Sequence, residues 1–332
     1  MRTKAFIALA FLLAIPCLAA VMVEEYTMPS LEAVPYSPVV CGNWGLAQLN
    51  TVYGDGHTIG VVAYDIPAKK VYTLYQGNAV CLNVVGNVAM WSGDMRKIEG
   101  ITGVKSDLIF FDLVTQQFSA RKFKTSRVWE PSACGNYMAY DYGGRIYLCD
   151  LRTGSQKMIS ANRNAFKNPN VGGDVVVWQE CEDSKSAKSR IAGCRISTGQ
   201  KYVFSEQFDD TNSRPETDGE YVVWHSNNLG GVAYEINTGK ARILKYALYP
   251  SVGDGFVVYE KPVKPRGEDS HATPRMVCGI DLRATNGQEF RVSKSEDISQ
   301  VYVNGNRVVW AEGKTLHVAD LTREGKLQLH KK

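Results

Sequence analysis

The chain has 332 residues, eight of them cysteine, with 44% apolar and 22% charged side chains and a formal charge of +4. So weak a charge, with Lys and Arg scattered rather than run together, excludes the many phosphate neutralisations that nucleic-acid binding needs, while the length suffices to bury a large core. The five histidines lack metal-ligand spacing and no HExxH, CxxC, G-x-S-x-G or Gly-rich phosphate loop occurs, so neither metal nor cofactor is expected.

The first element is a predicted signal peptide over residues 1–20. Arg2 and Lys4 precede an apolar run from Ala5 to Ile15, and Pro16-Cys17-Leu18-Ala19-Ala20 supplies small residues for a cut after Ala19 or Ala20. That run is roughly half the ~20 residues a membrane-spanning helix requires, and Pro16 stands where lipidation of Cys17 would need a small residue. The expectation is a periplasmic or secreted protein that does not span the membrane, its charge reduced to about +2 once Arg2 and Lys4 are removed. Residues 21–36 follow as a leader or closing strand: VMVEEYT, Val21 to Thr27, has strand composition, and it reads either as a floppy segment or as an edge strand closing the last repeat.

From residue 37 to 332 one phrase recurs seven times. A Gly-polar turn leads into an apolar run ending in an aromatic, as in CGNYMAY (Cys134 to Tyr140), GGDVVVW (Gly172 to Trp178), DGEYVVW (Asp218 to Trp224), GDGFVVY (Gly253 to Tyr259) and NGNRVVW (Asn304 to Trp310). Aligned on that last residue, the anchors are Ala47, Trp91, Tyr140, Trp178, Trp224, Tyr259 and Trp310, between 35 and 51 residues apart. A constant phrase at irregular spacing means variable loops on a fixed core. Four of the six tryptophans share this position, which marks a large buried site between packed sheets.

A second apolar run follows each anchor, as in LIFFDL from Leu108, IYLCDL from Ile146 and VAYEIN from Val232, then a short third strand such as KYVF (Lys201 to Phe204) or KLQL (Lys326 to Leu329). Ahead of each Gly turn lies a short segment often opened by proline, as in Glu130-Pro131-Ser132 and Arg214-Pro215-Glu216. Proline suits a strand's first residue, so this is the innermost strand. Each repeat then holds four antiparallel strands. Radial stacking buries both faces of each sheet, which predicts an all-β β-propeller, read here as seven four-stranded antiparallel blades in a single domain, with six or eight open if the worn first copy or the leader is miscounted.

The recurring acids Asp112, Asp150, Glu235, Asp281 and Asp320 sit in one slot before a turn and read as caps on turn amides rather than as catalysts. Seven cysteines remain after the signal. Cys181 and Cys194 are the closest candidates for a bridge, but hairpin register sets them apart, and mostly buried thiols are expected.

These phrases resemble the TolB-type propeller repeats of exported bacterial and archaeal proteins, RIYLCDLRTG (Arg145 to Gly154) being the best copy. The likeness runs from Ser37 to Leu329. It departs where that family's Ser-Pro-Asp-Gly turn is replaced by Gly-Asn, Gly-Asp or Asp-Gly and where Ala47 holds the aromatic slot. What the resemblance implies is the propeller; it carries no partner with it.

The turns joining strands one to two and three to four are tight, whereas the other connections carry the length, as in residues 48–58, 92–106, 179–190, 260–275, 119–130, 160–168 and 205–214. Variable loops on a rigid scaffold are where binding concentrates, so the functional rim is assigned there. Its candidate contacts are Arg96, Lys97, Trp129, Phe166, Lys264, Arg266 and His271, with Trp129 and Phe166 read as loop aromatics that either touch a ligand or plug the adjoining blade. Weak catalytic candidates are His225, directly after an anchor, with Asp209 or Asp210. The leading expectation is a non-catalytic, monomeric exported propeller that binds a protein or envelope polysaccharide through this rim. The alternatives are a carbohydrate-active lyase or hydrolase with its site in the central funnel, and a structural or surface-layer module.

Overall fold

The structure, a computed structural model, describes residues 21–27, 31, 33–50, 58–93, 108–119, 128–161, 166–181, 188–208, 211–263, 274–284, 287–296 and 298–323. Every regular element in them is a β-strand. The N-terminal strand is β1 (Val21–Thr27). Blade 1 comprises β2 (Val34–Cys41), β3 (Trp44–Asn50), β4 (Thr58–Asp65) and β5 (Lys70–Gln76), and blade 2 comprises β6 (Ala79–Val85), β7 (Val88–Gly93), β8 (Leu108–Asp112) and β9 (Gln117–Ser119). Blade 3 is β10 (Trp129–Cys134), β11 (Tyr137–Asp141), β12 (Ile146–Asp150) and β13 (Gln156–Met158); blade 4 is β14 (Phe166–Gly172), β15 (Val175–Cys181), β16 (Ser189–Arg195) and β17 (Lys201–Val203). Blade 5 is β18 (Asn212–Thr217), β19 (Tyr221–Ser226), β20 (Gly230–Glu235) and β21 (Ala241–Leu244), and blade 6 is β22 (Leu248–Gly253), β23 (Phe256–Pro262), β24 (Arg275–Asp281) and β25 (Glu289–Arg291). Blade 7 takes β26 (Ser299–Asn304), β27 (Arg307–Glu312) and β28 (Thr315–Arg323), and β1 is its fourth strand.

All strand pairings are antiparallel, and all join chain neighbours except that of β1 with β28, whose register runs from Val21 opposite Arg323 to Thr27 opposite His317. The inner strands of successive blades touch all the way round, β2 meeting both β6 and β26, so the seven sheets form a closed ring. The outer slot of blade 7, assigned from composition to Lys326–Leu329, is therefore occupied by the opposite end of the chain. Residues 324–332 lie outside the described residues.

The anchors sit where their recurrence placed them. Trp91, Trp224 and Trp310 are fully buried, as are Ala47, Tyr140 and Tyr259, and Trp178 nearly so. Each packs between its own sheet and a neighbour, so the apolar clusters alternate with the blades around the ring. Blades meet most closely at their inner strands: a Cβ on Gly172 would lie 1.9 Å from the Thr217 carbonyl oxygen, so only glycine fits between blades 4 and 5 there.

The acidic slot caps turns as expected in several blades. Asp112 accepts the amides of Val114 and Thr115 at 2.9 and 2.8 Å, and Asp150 those of Arg152 and Thr153. Asp320 instead binds the Arg307 guanidinium, and Asp281 binds Arg323 of blade 7 while also accepting the Arg283 amide. All seven described cysteines are free. Cys181 faces Ser189 and Cys194 faces Val176, so the two are out of bridging register.

Candidate functional site at the channel mouth

Strand direction puts the tight turns on one rim and the long connections on the other, because each antiparallel sheet alternates its ends. The inner strands start at the long-connection rim, and there all seven carry the same defect. Ladder pairing on the inner strand skips two residues between Tyr36 and Val39, Val80 and Asn83, Trp129 and Ser132, Lys167 and Asn170, Ser213 and Glu216, and Leu248 and Ser251, and one between Ser299 and Val301. At each of these β-bulges one non-glycine residue has positive φ: Ser37, Cys81, Glu130, Asn168, Arg214, Tyr249 and Gln300, with φ between 45° and 56°. A left-handed conformation costs a non-glycine residue about 1–3 kcal/mol and persists only where the surroundings impose it.

In blades 1 to 6 the anchor lies opposite the skipped position, and in blade 7 Trp310 pairs with Val301 at the edge of the bulge. This also corrects the strand boundaries read from sequence. The prolines do not open the inner strands; pairing resumes upstream of the bulge, so that Trp129 and Phe166 begin strands instead of lying in loops. Phe166 packs against Trp178 and Val171 and is only 3% exposed, a core residue rather than a rim contact. Trp129 is paired with Asp141 through the backbone.

The bulge also turns backbone amides away from the ladder, and side chains of the preceding blade accept them. Glu130 takes the Asn168 amide at 2.8 Å, Glu260 takes that of Gln300 at 2.8 Å, and Gln300 in turn takes that of Ser37 across the ring closure. Gln48, oriented with its oxygen inward, meets the amides of Cys81 and Leu82 at 3.2 and 3.1 Å. One step deeper a second girdle forms: Ser132 accepts from Val171, Asn170 from Thr217 and Ser251 from Val303, at 2.9–3.1 Å. These bonds tie bulged amides of blades 1, 2, 4 and 7, and deeper amides of blades 4, 5 and 7, to the blade before.

Burial raises the pKa of three acids in this ring. Burial lifts Glu216 to about 7 against the bonds it accepts from Ser251 (2.6 Å) and the Val252 amide. Burial lifts Asp141 to about 6, the Glu130 charge adding to it while the Gly144 amide at 2.9 Å opposes it. Burial also raises Glu260, whose ion pair with Arg275 at 2.5 Å works in the other direction.

Of the sequence-predicted site residues, the structure brings His225 to the mouth. It is the penultimate residue of β19, opposite Ser213, and its ring lies 5.5 Å from that of Tyr249 in blade 6. The Arg214 guanidinium lies 4.5 Å above the same tyrosine ring, a cation–π contact between blades. Arg96, Lys97, Asp209, Asp210, Lys264, Arg266 and His271 lie outside the described residues. Arg214 and Tyr249 were missed from sequence, although the signal was there: each directly precedes a proline inside an inner strand. Among the described residues no cluster of His, Cys, Asp and Glu is arranged to hold a metal ion.

No protein-family model and no curated protein matches the chain. Solved structures do match in shape. The computationally designed Ika8 protein is 12% identical over 89% of this chain and 98% of its own, with a TM-score of 0.52. A Mycobacterium tuberculosis puromycin-hydrolyzing peptidase is 13% identical over 88% of this chain and 53% of its own, with a TM-score of 0.58, so the chain spans about half the length of that enzyme. At these identities the likeness is one of fold.

Proposed function

We propose that this chain is an exported binding propeller of the TolB repeat type that takes a protein or envelope component at the long-connection mouth of its channel. The observation that carries the reading is the ring of seven left-handed residues. The anchor position one layer behind it is nearly uniform, aromatic in six blades, whereas the strained position holds Ser, Cys, Glu, Asn, Arg, Tyr and Gln. A costly conformation kept in every blade while its side chain differs in each is what a display surface requires. Tyr249, 38% exposed and flanked by Arg214 and His225, is the aromatic anchor of that surface.

Glycine adopts positive φ without strain, so it removes these side chains with the backbone left in place. Arg214→Gly and Tyr249→Gly in the mature protein should melt close to the parent and lose the partner that the parent retains from envelope extract. Equal recovery by both, with intact folding, would end the reading.

A second reading rests on Asp141 and Glu130. A carboxyl titrating near 6 beside a second carboxylate at a channel mouth suits general acid chemistry on a polysaccharide. Release of reducing ends from envelope polysaccharide by the parent and not by Asp141→Asn would favour it.

A further inference from the structure

A separate surface lies on the outer wall, between blades 5 and 6. A cleft of about 810 Å³ opens there, lined on one side by the five consecutive residues 242–246 and on the other chiefly by Lys261, Ile280 and Glu289. The first wall is formed by β21, the outermost strand of blade 5, and the two residues after it. This strand pairs only with β20, Arg242 opposite Ala233 and Leu244 opposite Gly231. The Glu235 amide donates to the Lys240 carbonyl at 2.9 Å, which fixes the hydrogen-bonded rungs at Lys240, Arg242 and Leu244 by antiparallel alternation. The N–H and C=O of Ile243 therefore point away from the sheet, and among the described residues nothing bonds to them. Ile243 itself is 47% exposed.

An open edge of this kind is a template for another strand. Its surroundings select which strand. Arg242 reaches across the cleft to the Gly287 carbonyl at 2.6 Å, Lys245 is exposed and makes no ion pair among the described residues, and Lys261 shares Glu289 with the Tyr259 hydroxyl. Three cations thus face one carboxylate. A second copy of the same edge would set Arg242 and Lys245 against themselves, whereas an acidic segment meets complementary charge. Tyr246 stands at the upper end of the cleft, left-handed at φ 62° and 59% exposed, where the connection to blade 6 is short and the Ala247 amide turns back to the Leu244 carbonyl at 3.1 Å.

We propose that the outer edge of blade 5 receives an extended acidic peptide segment of a partner protein, added to β21 as a fifth strand through the Ile243 main-chain groups, with its carboxylates against Arg242, Lys245 and Lys261. This site is distinct from the channel mouth, and its variants leave the ring untouched, so the two readings fail separately.

The test is fluorescence anisotropy with a labelled Val-Glu-Val-Glu-Val-Glu peptide. Ile243→Pro removes the outward donor without removing a rung of the β20 ladder, a position where an edge strand tolerates proline. Binding to I243P should be at least about tenfold weaker, while I243A stays within about twofold and K245E is roughly fivefold weaker with a reduced salt dependence. The same peptide N-methylated at alternate residues should lose its affinity for the parent protein, which keeps the test decisive even if I243P folds poorly. Equal binding of the methylated peptide, equal binding of a Val-Lys peptide, or displacement by polygalacturonate that binds the parent and I243P alike would each overturn the proposal.

Discussion

His317 on β28 lies 3.0 Å through Nδ1 from the carboxylate of Glu25 on β1, joining residues from opposite ends of the chain. Its Nε2 is 3.2 Å from Glu312, its ring stacks on the anchor Trp310 at 5.2 Å, and Lys294 approaches Glu25 at 3.5 Å. This is where the ring is fastened: the chain passes from β1 in blade 7 to β2 in blade 1, so the closure rests on the non-covalent pairing of β1 with β28 inside the last blade.

Removing that fastening should loosen one blade before the others. Glu25→Ala is expected to cost about 1 kcal/mol of stability. Native-state amide exchange should accelerate in Val21–Thr27 and Thr315–Arg323 while Ile146–Asp150 in blade 3 is unchanged. Equal acceleration in both regions would show that β1 does not act as a local clasp.

Stability should fall as pH rises through neutrality. Glu216 and Asp141 are raised to about 7 and about 6 by burial, so the folded chain favours their protonated forms. A raised carboxyl contributes stability that is fully present below the ordinary carboxylate value and is lost as pH climbs through the folded value. The melting temperature from these groups should therefore decline between about pH 5 and 8, and Glu216→Gln should flatten that decline. Identical pH profiles for the parent and E216Q would refute it.

The anchors should not be equivalent. Trp224 donates its indole N–H to Asn212 at 2.9 Å, whereas the buried N–H of Trp91 finds no acceptor among the described residues. Both tryptophans lose similar volume on conversion to phenylalanine, so the difference reports the hydrogen bond. Trp224→Phe is expected to destabilise by about 1 kcal/mol more than Trp91→Phe in denaturant unfolding.

Thiol labelling should divide the described cysteines into two classes. Cys149, Cys181, Cys194 and Cys278 are buried, and burial pushes Cys278 up to about 11. These four should label only on unfolding, while Cys41, Cys81 and Cys134, half-exposed in the inner strands, label in the native protein. A reductant should leave the melting temperature unchanged.

The blade architecture was legible because each blade is built from contacts close in sequence. A Gly-Asn turn such as Gly135–Asn136 sets a hairpin, and the alternation either side of it decides which residues are buried, so Tyr140 and Trp178 announced their positions. The mouth was only half legible. His225 was found because it follows an anchor, but Arg214 and Tyr249 were passed over, the proline after each having been read as a strand start when it is the second residue of a bulge. Phe166 was misplaced for the same reason.

By itself, then, the chain's order of residues determined seven repeated wedges, their buried faces and which connections are long, since turn chemistry and two-residue alternation act over a few residues. Only the tertiary structure decided that β1 completes the last blade, that Arg214 covers Tyr249 of the next one, and that Ile243 lies on an open edge above a cationic cleft. Those relationships depend on how adjacent blades rotate and pack, a geometry imposed by closing the ring, which no local spacing encodes.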